Sequence, residues 1–280
     1  NWESKCRGVC VLSHTNVARD EIQKRLGGSV EGSRLLAYPH FIGTIHAFVN
    51  HFLALPYLRS NGLEVGVIDN DVFSRKALAM AAKNRTLRTY MEKNASVAPM
   101  VAGLIFRGAD LGVASEFGAL PKEGSKTRPI IQGIKGDLTL EGVYRHADMF
   151  AFAEQLLVAS PQIRALLSQR FPIVFIDEMQ DTSWEQERLL QLIFDETVII
   201  QRFGDINQRI LGSSEGAQNL TFPRANALPI STSKRFGPAI AQIVASAQMS
   251  GVPVTGDGVD QHAPMLMVYS TERVGQVIEA

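Results

Sequence analysis

RFPIVFIDEMQDTSWEQERLLQLIF, residues 170–194, is the stretch from which the rest of the chain can be read. Ile173, Val174, Phe175 and Ile176 run without polar alternation into Asp177 and Glu178, which reads as a strand buried on both faces of a parallel sheet. In open α/β sheets the ligand crevice lies beyond the carboxyl ends of the strands, so both carboxylates are expected there. Thr182 and Ser183 are caps for a following helix, with Glu185 and Gln186 each three residues on as capping-box partners. Trp184, Leu189, Leu190, Ile193 and Phe194 supply that helix with an apolar face. A strand ending in adjacent acids can hold Mg²⁺ on the first and orient an attacking water with the second. Asp177 is therefore the metal candidate and Glu178 the base candidate, against the plainer alternative of a solvated loop carrying incidental acids.

The 280 residues are enough for about two domains. Apolar residues make up 45% and charged residues 20%, the composition of an ordinary folded protein rather than a disordered one. No apolar run approaches the roughly 20 residues of a membrane span and no signal-peptide pattern opens the chain, so we read it as cytoplasmic with no membrane partner. Formal net charge is zero. Between Arg59 and Arg145, however, 13 Lys and Arg stand against 9 Asp and Glu, a modestly basic middle in a modestly acidic frame. Cys6 and Cys10 suit neither a zinc site nor a disulfide and read as buried reduced thiols of the first strand. The chain does not begin with Met and opens almost at once on a strand, the expectation for a fragment.

From the amino end, residues 8–15 (GVCVLSHT) read as a strand, with Thr15 or Asn16 capping a helix in which Val17, Ala18, Ile22 and Leu26 form one face. Asp20 with Lys24, and Glu21 with Arg25, are i,i+4 pairs, and Gly27-Gly28 is the stop. Residues 41–55 (FIGTIHAFVNHFLAL) turn from strand to helix at Gly43-Thr44, where a hydroxyl and the His46 imidazole can both donate to phosphate oxygens. Residues 59–145 change character: 71–93 look helical, whereas 103–142 carry eight glycines between short apolar runs. Gly124-Ser125-Lys126-Thr127 fails the phosphate-loop pattern, having serine where glycine must precede the lysine, and reads as a basic surface loop. Helices over 147–159 and 161–169 return the chain to the main body. After the acidic strand, 197–203 (TVIIQRF) reads as another buried strand ending in Gly204-Asp205-Ile206-Asn207-Gln208. Short strands at 227–230 and 265–269, and helices at 238–247 and 271–280, complete the chain.

Five of these segments, in this order, resemble motifs of superfamily 1 DNA helicases of the UvrD/Rep/PcrA type. LSHTNVARDEIQKRL resembles motif Ia, GTIHAF the GTxH element, IDEMQDTS motif II, RFGDINQRIL motif III and STSKRFGPAIAQIV motif IV. The resemblance implies an α/β fold: a RecA-like P-loop NTPase parallel sheet (residues 1–58 and 146–262, domain 1A), an inserted mostly helical subdomain 1B (59–145), and the start of a second RecA-like domain, 2A (263–280). It also implies ATP and Mg²⁺ as cofactors and single-stranded DNA, or its junction with duplex, as partner, within a repair or defence complex. Glu178, Asp177, Gln180, Asp181, Gln208 and Arg235 would carry catalysis; Gln208, Arg235, Gly204 and Asp205 would contact nucleotide. His14, Thr15, Asn16, Thr44 and His46 would line the nucleic-acid path.

The sequence departs from the family in three places. Leu211, Gly212, Ser213 and Ser214 stand where motif III usually supplies aromatic rings for base stacking, worth roughly 1–3 kcal/mol per base. Lys234 stands where motif IV usually has a tyrosine. No G-x4-G-K-[S/T] occurs anywhere, and motifs V and VI are missing, so we expect truncation after the phosphate loop and little or no ATP hydrolysis by this piece alone. Two further readings are a helicase-derived nucleic-acid-binding or regulatory module without ATPase activity, and a Mg²⁺-dependent nuclease. For the nuclease no second acid or lysine cluster ends a matching strand.

Overall fold

The computed structural model describes residues 6–208, 226–248 and 251–259. They divide into two compact units, one up to Gly204 and one beginning at Asp205, inside the segment that the sequence assigns to a single domain. The expected strand at 265–269 and helix at 271–280, and the motif III segment at 211–214, lie outside the described residues.

The first unit opens with β1 (Val9–Ser13), α1 (Asn16–Gly27), α2 (Val30–Arg34), β2 (Phe41–Thr44) and α3 (Ile45–Val49), which passes through a π-helical turn at Asn50–Ala54 into α4 (Leu55–Ser60). The Thr15 hydroxyl oxygen accepts from the Ala18 N–H at 3.2 Å and starts α1. Glu21 pairs with Arg25 as expected, but Asp20 takes its neighbour Arg19 rather than Lys24. The expected apolar face of α1 is not buried: the helix has no fully buried residue, and Val17 is 79% exposed. Cys10 is fully buried, whereas Cys6 lies before the strand and is exposed, so only one of the two thiols fits its expectation.

The insert begins with β3 (Val67–Ile68), α5 (Asn70–Lys83), α6 (Arg85–Lys93) and α7 (Val97–Ala102), continues through the antiparallel hairpin β4 (Leu104–Arg107) and β5 (Gly112–Ser115), and closes with α8 (Arg128–Leu140) and β6 (Val143–Tyr144). It has its own apolar cluster, including Phe73, Ala77, Leu87, Met100, Ile131 and Leu138. Strands β3 and β6 pair in parallel and bring its two ends together. Gly142 is required at that closure, with φ +71° and only 2.8 Å between an added Cβ and the Gly66 nitrogen.

A buried ion pair ties the insert to the chain beyond it. Lys135 Nζ of α8 lies 2.5 Å from Asp148 Oδ2, both side chains fully buried, with the ammonium 4.3 Å and 4.7 Å from the ring centres of Phe73 and Phe106. Asp148 also accepts from the Phe106 and Arg145 backbone N–H groups, each at 2.8 Å. Burial pushes the Lys135 ammonium below its ordinary range, and Asp148 opposes that shift.

The return path is α9 (Asp148–Ala159), α10 (Gln162–Arg170), β7 (Ile173–Ile176), α11 (Trp184–Ile193) and β8 (Ile199–Arg202). The main sheet has the order β2-β1-β7-β8, parallel throughout. Strand β7 is not buried on both faces. Val174 and Ile176 are fully buried beside their register partners Cys10 and Leu12, while Ile173 and Phe175 on the other face are half-covered. Phe48, Phe52, Phe171 and Phe194 form a ring cluster in the core, with centroids 4.8–5.9 Å apart for the contacting pairs. Nor is β8 a buried strand: among the described residues it pairs with β7 alone, and its edge position leaves Ile199 57% exposed.

The described part of the second unit contains β9 (Thr232–Ser233), α12 (Pro238–Ala247) and β10 (Thr255–Gly256), with β9 and β10 parallel. Residues 227–230 form no strand; Leu228 and Ile230 are 90% and 80% exposed, so without a pairing partner their apolar character builds no sheet.

Candidate nucleotide and nucleic-acid site

Parallel pairing places the carboxyl ends of β1, β2, β7 and β8 along one edge of the sheet. In register, Ser13 stands beside Thr44, Leu12 beside Ile176, and Ile176 beside Arg202. The residues that leave that edge are therefore His14, Thr15 and Asn16 after β1, Thr44 and His46 at the end of β2, and Asp177 to Asp181 after β7.

The acidic segment is held by its backbone. Asp177 N–H donates to Leu12 O at 2.8 Å, continuing the β1 pairing one residue past the strand. Glu178 then adopts a left-handed conformation, φ 57° and ψ 41°, and the chain winds into a 3₁₀ turn over Met179–Asp181. Met179 N–H donates to Phe203 O at 2.9 Å and Asp181 N–H to Glu178 O at 3.0 Å. Inside the turn the Gln180 side-chain amide donates to Glu178 Oε2 at 2.5 Å, with Gln180 only 4% exposed. Ser183, not Thr182, caps α11, and the capping box is completed by Gln186 rather than Glu185. Trp184 remains 41% exposed and stands outside the apolar face that Leu189, Leu190 and Ile193 bury.

On the β1 and β2 side, Thr44 is the cap of α3, its hydroxyl oxygen accepting from Ala47 N–H at 3.1 Å. Both Thr15 and Thr44 thus spend a lone pair on a helix start and keep the hydroxyl hydrogen to offer. His46 packs edge-on against Phe150, 4.9 Å between ring centres, and against His146 at 6.0 Å. Burial, reinforced by the neighbouring His146 and His14, lowers the His46 pKa to about 4, so the imidazole is neutral at pH 7. His14 Nδ1 is buried with no hydrogen-bond partner. Sequence reasoning missed His146: it lies 100 residues from His46 and carries no motif, and only the return of the insert at β6 sets the two rings together.

Of the remaining predicted residues, Gly204 ends the first unit, and Asp205, Gln208 and Arg235 belong to the second. Asp205 Oδ1 accepts from the backbone and side-chain N–H groups of Asn207 at 2.9 Å and 3.0 Å, and its Oδ2 accepts from Gln208 Nε2 at 3.1 Å. The Asp205 carboxylate thus holds the 3₁₀ turn Ile206–Gln208 and the exposed Gln208 side chain. Arg235 is exposed at the end of β9, its backbone N–H donating to Ser233 Oγ at 3.2 Å, beside the ion pair of Lys234 with Asp257.

Among the described residues no three His, Cys, Asp or Glu side chains gather as a metal cage. Mg²⁺ is commonly held by one or two carboxylates together with water and substrate phosphates, so a single oxygen ligand at a strand end, Asp177, fits that ion. No helix of the described residues is long and apolar enough to cross a membrane.

A 72-residue segment is 38% identical to an ATP-dependent helicase/nuclease subunit of Lactococcus lactis subsp. lactis (strain IL1403), covering 26% of this chain and 6% of that protein. The same extent and identity relate it to the exonuclease/helicase subunit RexA of Lactococcus lactis subsp. cremoris (strain MG1363). Over residues 3–224 the sequence matches the profile of the UvrD/REP helicase N-terminal domain. With that match spanning most of its length and a RecA-like parallel sheet beneath it, the chain belongs to the UvrD/REP helicase family.

Proposed function

We propose that this chain is the nucleotide- and DNA-facing part of an ATP-dependent helicase or translocase, which couples Mg-ATP hydrolysis to movement along single-stranded DNA. The observation that carries the reading is the shared sheet edge. Asp177 and Glu178 leave β7 at the same end at which Thr15 and Thr44 cap the helices after β1 and β2. A crevice along one edge is where an open α/β sheet binds its ligands.

In this reading Asp177 holds Mg²⁺, which would supply positive charge to the phosphate oxygens. Glu178 orients the attacking water and accepts its proton. The family resemblance assigns Gln208 and Arg235 to nucleotide as well, the guanidinium stabilising charge on the transferring phosphoryl group. His14, Thr15, Asn16, Thr44 and His46 read the DNA backbone without regard to sequence. Asp181 and Gly204 belong to the same nucleotide site. The 280 residues contain no G-x4-G-K-[S/T], so the phosphate-cradling amides and lysine of a working motor must come from other residues of the protein. The same observation favours a second reading, a binding module without hydrolysis.

Glu178→Gln in the full-length protein separates the two. It is expected to preserve Mg-ATP binding and to lower turnover by about two orders of magnitude or more, roughly 3 kcal/mol. Near-normal turnover would remove Glu178 as the base, and a wild-type protein that binds single strands but never hydrolyses ATP would establish the binding module.

A further inference from the structure

We propose that Gln180 is a positioning residue, whose buried side-chain amide fixes the Glu178 carboxylate in the place from which it acts on the attacking water; this rests on the reading of Glu178 as the base. Glu178 is one of two non-glycine residues among those described with a positive φ, and a β-carbon makes that conformation unfavourable. Such a backbone persists only where its surroundings over-determine it, and they do so here from both sides. The Met179 N–H is fastened to β8 through Phe203 O, and the Asp181 N–H closes the turn onto Glu178 O. These two bonds set the glutamate's main chain and leave its side-chain torsions free. The bond from Gln180 Nε2 to Glu178 Oε2, at 2.5 Å, is the contact that addresses the carboxylate.

The chemistry of residue 180 follows from that contact. At this distance an amide oxygen would repel a carboxylate, so the nitrogen must face Glu178 and act as donor. At 4% exposure the amide is shielded from solvent, and water competes little for the bond. A glutamate at this position would set a second negative charge against the base, and a methionine would fill the space with no donor. Gln180 therefore acts through Glu178, and a displacement of about 1 Å at a reacting group is enough to cost about 100-fold in rate.

The experiment compares wild type, Gln180→Met, Gln180→Glu and Glu178→Gln in the full-length protein. It measures kcat and KM for ATP at saturating single-stranded DNA, with a thermal melt, for each variant and for the double variant Gln180→Met with Glu178→Gln. Gln180→Met should melt near wild type, lower kcat about 10- to 100-fold with KM within about twofold, and lower kcat no further in the Glu178→Gln background. Gln180→Glu should lower kcat at least as far, because a second carboxylate repels the Glu178 side chain from its place. Wild-type kcat in Gln180→Met, with turnover lost in Glu178→Gln, would overturn this inference alone. Retained turnover in Glu178→Gln would overturn the assignment of the base and this inference with it. A fall in kcat that tracks a fall in melting temperature and recurs in full in the Glu178→Gln background would reduce Gln180 to a packing role and also overturn the inference.

Discussion

Asp148→Ala is expected to be among the most damaging single changes in the first unit, and its partner Lys135→Met among the mildest of comparable burial. With Asp148 gone, Lys135 Nζ keeps only Leu104 O at 3.4 Å and the faces of Phe73 and Phe106. Breaking a buried pair by removing one partner costs about 3–5 kcal/mol. The Phe106 and Arg145 N–H groups also lose an acceptor at 2.8 Å. We therefore expect about 4–5 kcal/mol, about a thousandfold or more in the folding equilibrium. Lys135→Met leaves Asp148 with both backbone donors and fills the space between the two rings, so about 1–2 kcal/mol is expected. Urea denaturation followed by far-UV circular dichroism measures both. The pH response checks the cause: burial holds the folded lysine below the unfolded value of 10.5, so between the two the unfolded chain binds more protons and stability rises with pH. The Asp148→Ala deficit should accordingly shrink as pH rises toward 10.5. A cost below about 1 kcal/mol for Asp148→Ala, or a larger one for Lys135→Met, would refute the argument.

His46 supplies a pH prediction of the same kind. Its folded pKa of about 4 lies below the unfolded 6.5, so its contribution is complete above pH 6.5 and lost as pH falls toward 4, at most about 3 kcal/mol; urea titrations of wild type and His46→Gln should diverge in that window, and parallel curves would count against it. Thr44→Ala with His46→Ala should weaken binding to single strands of every sequence about equally, read by fluorescence anisotropy at fixed salt. Loss of the α3 cap, about 1 kcal/mol, is to be checked by a melt, and unchanged affinity would remove these residues from the path. In the full-length protein Gln208→Ala should keep binding of each ligand but lose most of the stimulation of ATPase by single-stranded DNA, whereas Arg235→Ala should depress basal and stimulated rates together. Stimulation retained in Gln208→Ala would place the coupling elsewhere.

The elements that local rules determine were legible in the sequence. Thr15 and Ser183 cap helices because their hydroxyls reach an N–H within the first turn, the turn at Gly43-Thr44 begins α3, and the strand ending at Ile176 was visible as an apolar run that stops at Asp177, whereas the first strand ends at Ser13, two residues short of the expected 8–15. Burial was less legible, because the apolar run Ile173–Ile176 is the same whether one face is covered or two, and the exposure of Ile199 depends on which strands lie beside β8. Helix α8 was hidden by Gly133 and Gly136, which lower helix propensity; a cluster packed around Ile131, Ile134 and Leu138 outweighs that local cost.

The site divides along the same line. Asp177 and Glu178 could be placed at a strand end from sequence alone, because the strand's direction fixes which residues leave it. The left-handed turn at Glu178 could not, since glutamate has no preference for that conformation and the motif gives no sign of it. It exists because Met179 N–H reaches across to Phe203 O, a bond between segments 24 residues apart that requires β7 and β8 to be neighbours.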